Sequence, residues 1–187
     1  MNFNRLAYIF LPIVLVINAC SRPIITPSIE TISLDENLHA LQDKANEWNQ
    51  DAYLVWIKIP LNHYSTYLIS AHFESLSENN ESLIIRMVAD DLFQLSRIKH
   101  ENGVTHVLPL TKNLWTYDSP TVMQIFLQDV SVQERFDAYD LDSLQLEHYS
   151  HKDQRVIWVL TFTKPDFTDS VYYFFDPEMN NVRELLR

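Results

Sequence analysis

The stretch Ser33–Ile59, SLDENLHALQDKANEWNQDAYLVWIKI, contains a change of hydrophobic period that decides the fold class. Ser33-Leu34-Asp35-Glu36 matches a capping box, in which a serine hydroxyl and a glutamate three residues later satisfy each other's backbone amides. Apolar residues follow at helical spacing: Leu34, Leu38, Leu41, Ala45 and Trp48. This spacing predicts a helix over about 34–50 with Trp48 in the core. The next apolar run, Tyr53–Ile59, predicts a strand.

Short apolar runs beyond this stretch predict further strands. In the first half of the chain they cover residues 67–73, 82–88 and 92–99. Asn102-Gly103 then predicts a hairpin that leads into a strand at 104–108, because the two central residues of such a turn adopt positive φ. Gly103 is the only glycine in the chain, so a backbone requirement at this position is expected.

A second helix followed by strands is predicted from Asp118 onward. Ser119 is the predicted N-cap and Pro120 the first helical residue. Apolar runs then predict strands at 144–149, 155–163, 170–175 and 182–186. The chain from residue 118 therefore repeats the order of elements seen from residue 33.

The spacing between corresponding segments is similar throughout the chain. Ser33 and Ser119 are 86 residues apart, and YLISAHF (67–73) and VIWVLTF (156–162) are 89 apart. Similar order at similar spacing predicts an α+β protein made of two similar units, over 33–110 and 118–186. Each unit is expected to pack one helix on an antiparallel sheet of about four strands. One such unit alone would bury only a thin core, so the two units are expected to pack together or to share a sheet.

This order of elements resembles the PepSY-like domains of exported bacterial proteins. The resemblance rests on the helix followed by strands, on Asp118-Ser119-Pro120 at the second helix, and on YYFFDP at 172–177. It spans roughly residues 33–186. It implies an exported α+β protein that binds or restrains peptidases, and it supplies no catalytic residues.

The N-terminal twenty residues, MNFNRLAYIFLPIVLVINAC, have the organisation of an export signal. Arg5 precedes an apolar run that is shorter than the roughly 20 residues a bilayer span needs. Ile17-Asn18-Ala19-Cys20 resembles the lipobox of bacterial lipoproteins, which implies acylation of Cys20, the only cysteine. The expected segments are a signal peptide at 1–19 and a tether at 20–32. An ordinary secretory signal beside an unpaired thiol is the alternative.

Composition excludes several classes of function. The formal net charge is −11 and no block of lysine and arginine is present, which disfavours nucleic acid as a partner. A single glycine excludes glycine-rich phosphate loops and nucleophile elbows. No cofactor is expected.

Two clusters have the residue types of a chemical site. Glu147, His148, His151 and Asp153 could bind a metal ion, but a polar hairpin tip is the favoured interpretation and no metal is expected. Asp90-Asp91 could act in acid–base chemistry, but a turn between strands explains the pair better. No nucleophile with a nearby base is recognisable.

Aromatic residues of the predicted strands that point outward, away from the helices, are the candidate binding residues. They are Tyr53, Trp56, Tyr64, Tyr67, Tyr149 and Trp158. The expected function is that of a non-enzymatic, lipid-anchored envelope protein, attached through acylated Cys20, that binds a protein or peptide. The resemblance to PepSY-like domains implies regulation of a peptidase. An assembly lipoprotein of an envelope complex and a hydrolase with a non-local site are the alternatives.

Overall fold

The computed structural model describes residue 29 and residues 31–103, 107–150 and 154–185. The predicted signal peptide, Cys20 and most of the tether lie outside these residues, as do His151 and Asp153. The helices are α1 (Leu34–Trp48), α2 (Ser119–Gln128) and α3 (Val130–Gln133), with 3₁₀ turns at Lys112–Leu114 and Glu134–Asp137. The strands are β1 (Ala52–Pro60), β2 (Ile69–Ser75), β3 (Glu81–Ala89), β4 (Leu92–Lys99), β5 (Asp140–His148), β6 (Val156–Thr163), β7 (Ser170–Asp176) and β8 (Asn181–Leu185).

All eight strands form one antiparallel sheet with the order β4-β3-β2-β1-β5-β6-β7-β8. The prediction of an α+β fold is therefore confirmed. Of the two arrangements expected for the units, packed together or sharing a sheet, the structure has the shared sheet, so two units that each have their own four-stranded sheet are not found. The first strands of the two halves pair with each other, with Ile57 opposite Leu146 and Ile59 opposite Leu144. Two separate sheets would each expose the amides and carbonyls of an edge strand here, and pairing β1 with β5 satisfies them.

The hydrophobic core lies on one face of this sheet. Alternate residues of neighbouring strands share the core, as the paired residues Leu146 and Trp158 illustrate. All three helices contribute buried side chains to the same core: Leu34, Leu41 and Ala45 from α1, Val122, Met123, Phe126 and Leu127 from α2, and Val132 from α3. Trp48 is partly buried and packs against this core. The helices therefore cover one face, and we call the opposite one the helix-free face. No helix in the described part of the chain is long and apolar enough to span a bilayer.

The N-termini of α1 and α2 meet, and Asp118 serves both. Asp118, rather than Ser119, is the N-cap of α2, and its carboxylate accepts the amide of Ser119 at 2.8 Å. The same carboxylate accepts the hydroxyl of Ser33 at 2.6 Å and the amide of Asp35 at 3.0 Å. The Ser119 hydroxyl instead accepts the amide of Leu34 at 2.9 Å. One negative charge thus lies at the positive ends of two helix dipoles, where it is stabilising.

The chain after β4 departs from the predicted hairpin. Gly103 does adopt positive φ, at 78°. Residues 104–106 lie outside the description, and residues 107–110 are not part of a strand. They run beside β1, where the amide of Leu110 donates to the carbonyl of Leu54 at 2.7 Å. The β3–β4 hairpin instead turns at Asp90-Asp91, as the structural interpretation of that pair predicted, with Asp91 at φ 58°.

Candidate binding face

A groove lies on the helix-free face of the second half of the sheet. It has a volume of about 470 Å³, within the range of ligand and peptide pockets. We call it the second-half groove, and its lining residues come from β5 to β8: Gln145, Glu147, Tyr149, Ile157, Val159, Thr161, Tyr172, Phe174 and Leu185.

The floor of the groove is apolar because β6 and β7 are apolar on both faces. On β6, Val156, Trp158, Leu160 and Phe162 face the core, so Ile157 and Val159 face the groove. On β7, Tyr173 and Phe175 are fully buried in the core, while Phe174 faces the groove and is half-buried. None of the three described helices packs on this second apolar surface, and exposed apolar patches of this kind are typical of interaction sites.

Polar groups at the rim are held in place by neighbouring side chains. The amide of Gln145 donates to the carboxylate of Glu147 at 2.6 Å. The guanidinium carbon of Arg155 lies 4.1 Å from the centre of the Tyr149 ring, a cation–π contact that orients a half-exposed aromatic side chain. Arg155 also pairs with the buried carboxylate of Asp176 at 3.4 Å. The rim is thus preorganised around an apolar floor.

The helix-free face of the first half carries polar side chains beside Trp56 and Ile84, and several of these polar groups pair with one another. A register shift after Leu54 places Tyr53 and Trp56 on the same side of β1. The hydroxyl of Tyr53 donates to the carboxylate of Glu74 at 2.9 Å. Burial, followed by this hydrogen bond, raises the pKa of Tyr53, so the phenol stays protonated. The ring of His72 lies 5.5 Å from that of Trp56.

Two histidines complete this polar surface. Both ring nitrogens of His72 are buried and make no hydrogen bond within the described residues. Burial lowers the pKa of His72, while the charge of Glu74 acts in the opposite direction. The Ser82 hydroxyl and His100 Nε2 are 2.9 Å apart, a serine–histidine contact that the sequence did not indicate. Ser82 is fully buried, so a substrate carbonyl cannot reach its hydroxyl, and the pair is structural.

The structure separates the six candidate aromatic residues. Tyr53 and Trp56 lie on the helix-free face of the first half, and Tyr149 lies at the rim of the second-half groove. Tyr67 lies just before β2, where Arg86 is 5.7 Å from its ring centre. Tyr64 projects from the β1–β2 loop and is 68% exposed.

The assignment of Trp158 to the outward surface is wrong. Its side chain is fully buried on the helix-covered face. The spacing of 89 residues between the halves aligns Trp158 with Ile69, which is also fully buried. Trp158 is therefore a core residue of the second half, as its helix-facing position on β6 requires.

The cluster at 147–153 does not form a metal site within the described residues. Glu147 lines the second-half groove, whereas His148, the next residue on β5, points to the opposite face. His151 and Asp153 lie outside the description. The described residues contain no group of three or more histidine, cysteine, aspartate or glutamate side chains placed to hold a metal ion.

Sequence reasoning missed the floor residues of the groove, Ile157, Val159 and Phe174. Their signal was present as the apolar runs VIWV and VYYFF, which lack the polar alternation of a strand with one wet face. Such runs ordinarily indicate strands buried on both faces.

Comparison with known proteins finds no matching family model, no matching curated protein and no matching solved structure.

Proposed function

We propose that this chain is a lipid-anchored protein of a bacterial cell envelope that binds a protein or peptide partner in the second-half groove. The observation that carries the proposal is the apolar floor of this groove, which lies on the sheet face opposite the described helices. The proposed activity is binding rather than catalysis, and it requires no cofactor. Tyr149 and Tyr172 at the groove are of the residue type that is enriched at protein interfaces.

The chemistry of the groove favours a particular kind of partner segment. An apolar floor with a polar rim suits alternating apolar and polar side chains, as an extended peptide presents them. The rim carboxylate Glu147 and the net charge of −11 disfavour an acidic partner. The proposed partner segment is therefore extended, partly apolar, and neutral or basic.

The anchor is the second part of the proposal. Ile17-Asn18-Ala19-Cys20 resembles a lipobox, and several acyl chains on one residue hold a protein firmly to a bilayer. The resemblance to PepSY-like domains extends this proposal to a peptidase as the bound protein. The repeated order of one helix and four strands supports an origin as two copies of one α+β unit that came to share a sheet.

Partner recovery tests the binding part. Tagged protein is crosslinked in membranes, and the amount of co-purified partner is compared between Phe174→Ala and Ile84→Ala. Ile84 is the matched control, because it is a half-buried apolar residue on the helix-free face of the first half. We expect Phe174→Ala to reduce affinity by about 2 kcal/mol, roughly 30-fold, as for a central interface residue. Equal recovery from both variants would reject the groove.

Metabolic labelling tests the anchor. A clickable fatty acid should label the wild-type protein, and Cys20→Ser should remove the label and release the protein from membranes or leave it unprocessed. An unlabelled wild-type protein would contradict the anchor without affecting the binding test.

A further inference from the structure

Two exposed aromatic side chains meet at one end of the sheet. Tyr64 in the β1–β2 loop is 68% exposed, and Phe167 in the β6–β7 loop is 71% exposed. Their ring centres are 6.4 Å apart in an edge-to-face arrangement. We call this pair, with the adjoining Leu68, the aromatic tip. Both loops lie at the same sheet end, since β1 ends at Pro60, opposite Ser143, and β6 ends at Thr163, opposite Asp140.

The two loops hold these rings outward by local hydrogen bonds. Phe167 adopts positive φ, at 58°, which is rare for a bulky residue. Its amide donates to the carbonyl of Lys164 at 2.8 Å, and the Asp166 carboxylate accepts the amide of Thr168 at 3.1 Å. Asparagine and glycine adopt positive φ readily and expose no large apolar side chain to water. Phenylalanine at this position has both disadvantages. An apolar environment outside the protein would explain why phenylalanine occupies position 167.

The Tyr64 loop is fastened to the second half of the sheet. The side-chain amide of Asn62 donates to the Asp142 carboxylate at 2.9 Å, and its oxygen accepts the amide of Tyr64 at 3.1 Å. The ring of His63 stacks 3.9 Å from that of Tyr64. The aromatic tip is thus a built surface, presented by two anchored loops.

The N-terminal chain arrives at this same end. Ile29 and Ile32 line a groove together with residues of the β1–β2 loop, among them Leu61 and Leu68. Ile29 is the ninth residue after Cys20, so the intervening chain can reach at most about 30 Å. A nine-residue strand is also about 30 Å long. A chain anchored at Cys20 therefore brings the aromatic tip to the bilayer easily, and the other sheet end only at full extension.

From this placement we propose that the aromatic tip inserts into the headgroup region of the bilayer. This inference rests on the proposed acylation of Cys20. Tyrosine is enriched at that depth of a membrane, where its ring is apolar and its hydroxyl is wet. Two carboxylates near the tip form ion pairs, Asp169 with Lys164 at 3.3 Å and Asp142 with Lys58 at 3.2 Å. Asp166 accepts hydrogen bonds from Thr168, and Asp140 is exposed in the cleft that Tyr64 and Phe167 line. The strands then stand away from the membrane, and the second-half groove opens sideways to a partner.

Site-specific fluorescence tests the insertion. Because Cys20 is the only cysteine, Tyr64→Cys and Phe167→Cys each provide one free thiol in the acylated full-length chain. An environment-sensitive dye on that thiol is compared in phosphatidylcholine vesicles with and without doxyl-labelled lipid. Leu76→Cys and Met179→Cys are the controls, since both positions are exposed in turns at the opposite end of the sheet. Mass spectrometry of each sample measures acylation.

Blue-shifted emission and lipid-dependent quenching at positions 64 and 167, several-fold above that at 76 and 179, would support the proposal. Acylated protein with equal or absent quenching at all four positions would overturn it and leave the anchor intact. Non-acylated protein would overturn both. Blue-shifted emission at 64 and 167 in native membranes, but not in lipid vesicles, would assign the aromatic tip to a protein partner and overturn the proposal.

Discussion

The two halves of the helix-free face differ in chemistry although each is built from four consecutive antiparallel strands. In the first half, Tyr53 donates to Glu74 and Ser82 contacts His100, so within the described residues most of the buried polar side chains on this face have a partner, with His72 as the exception. In the second half, Ile157, Val159 and Phe174 form an apolar floor on the face opposite the described helices. A surface whose polar groups already pair internally gains little from a partner, whereas uncovered apolar surface gains from burial. This difference is the reason for proposing the second half as the binding surface.

The largest expected effect is the difference in stability loss between a tryptophan substitution on the helix-covered face and one on the helix-free face. Trp158→Ala removes a fully buried ring from the core and should reduce the free energy of unfolding by about 3–5 kcal/mol. Trp56→Ala removes a half-buried ring from the helix-free face and should cost clearly less. Urea unfolding of both variants measures the difference. A greater loss for Trp56→Ala would reverse the assignment of the two faces.

A second prediction concerns Asp118, where the two halves depend on one side chain. Asp118→Ala removes the N-cap of α2 and also the acceptor for Ser33 and Asp35 of α1, so we expect a loss of about 2 kcal/mol, the upper end for a cap. Asp129→Ala is the control, because Asp129 caps only the four-residue α3. Similar unfolding free energies for the two variants would contradict the shared role of Asp118.

The effect of Asp118 should also depend on pH. Partial burial would raise the pKa of Asp118, but hydrogen bonds from Ser33, Asp35 and Ser119 outweigh it and lower the pKa below its ordinary value of 3.8. Since the folded state binds this proton less tightly than the unfolded state, the stabilisation is present above about pH 4. It is lost as the pH falls through the folded-state pKa. The difference between wild type and Asp118→Asn should therefore shrink below pH 4.

The smallest expected effect is a loss of stability in mild acid that is caused by His72 in the first half. Burial lowers the pKa of His72, with Glu74 opposing this and His100 adding to it. The unfolded state therefore binds a proton at His72 more tightly than the folded state does. The free energy of unfolding is expected to fall as the pH drops below about 6.5. His72→Gln should reduce this dependence between pH 7 and pH 5. An unchanged pH profile would show that His72 is protonated as readily folded as unfolded.

Local sequence patterns predicted most of the helices and strands, but they did not predict which distant strands pair. The capping box at Ser33 forms one of its two hydrogen bonds, with the Glu36 amide donating to Ser33 at 3.1 Å, and α1 follows from it. The pairing of β1 with β5 joins segments more than 80 residues apart, and no local feature of Ile57 or Leu146 indicates it. The Asn102-Gly103 signal correctly indicated positive φ at Gly103, but the flanking chain forms no hairpin.

The residue type of the candidate site was predicted from the sequence, whereas the face on which several candidate residues lie was not. Aromatic residues on the helix-free face were expected, and Tyr149 does line the second-half groove. Trp158 was misplaced because VIWVLTF is apolar at every position but one, so composition does not reveal which residues face the core. For the same reason Val159 and Phe174 were overlooked. Only the register of β6 and β7 against their neighbours separates the two faces.

The central claim, that the second-half groove binds the partner, is tested most directly by photo-crosslinking in intact cells. A photoreactive amino acid replaces Val159 in one variant and Ile84 in the other, which places the same probe on the same face in opposite halves of the sheet. We predict that illumination yields a discrete crosslinked partner from position 159 and none from position 84. A partner captured from position 84 and not from position 159 would contradict the account.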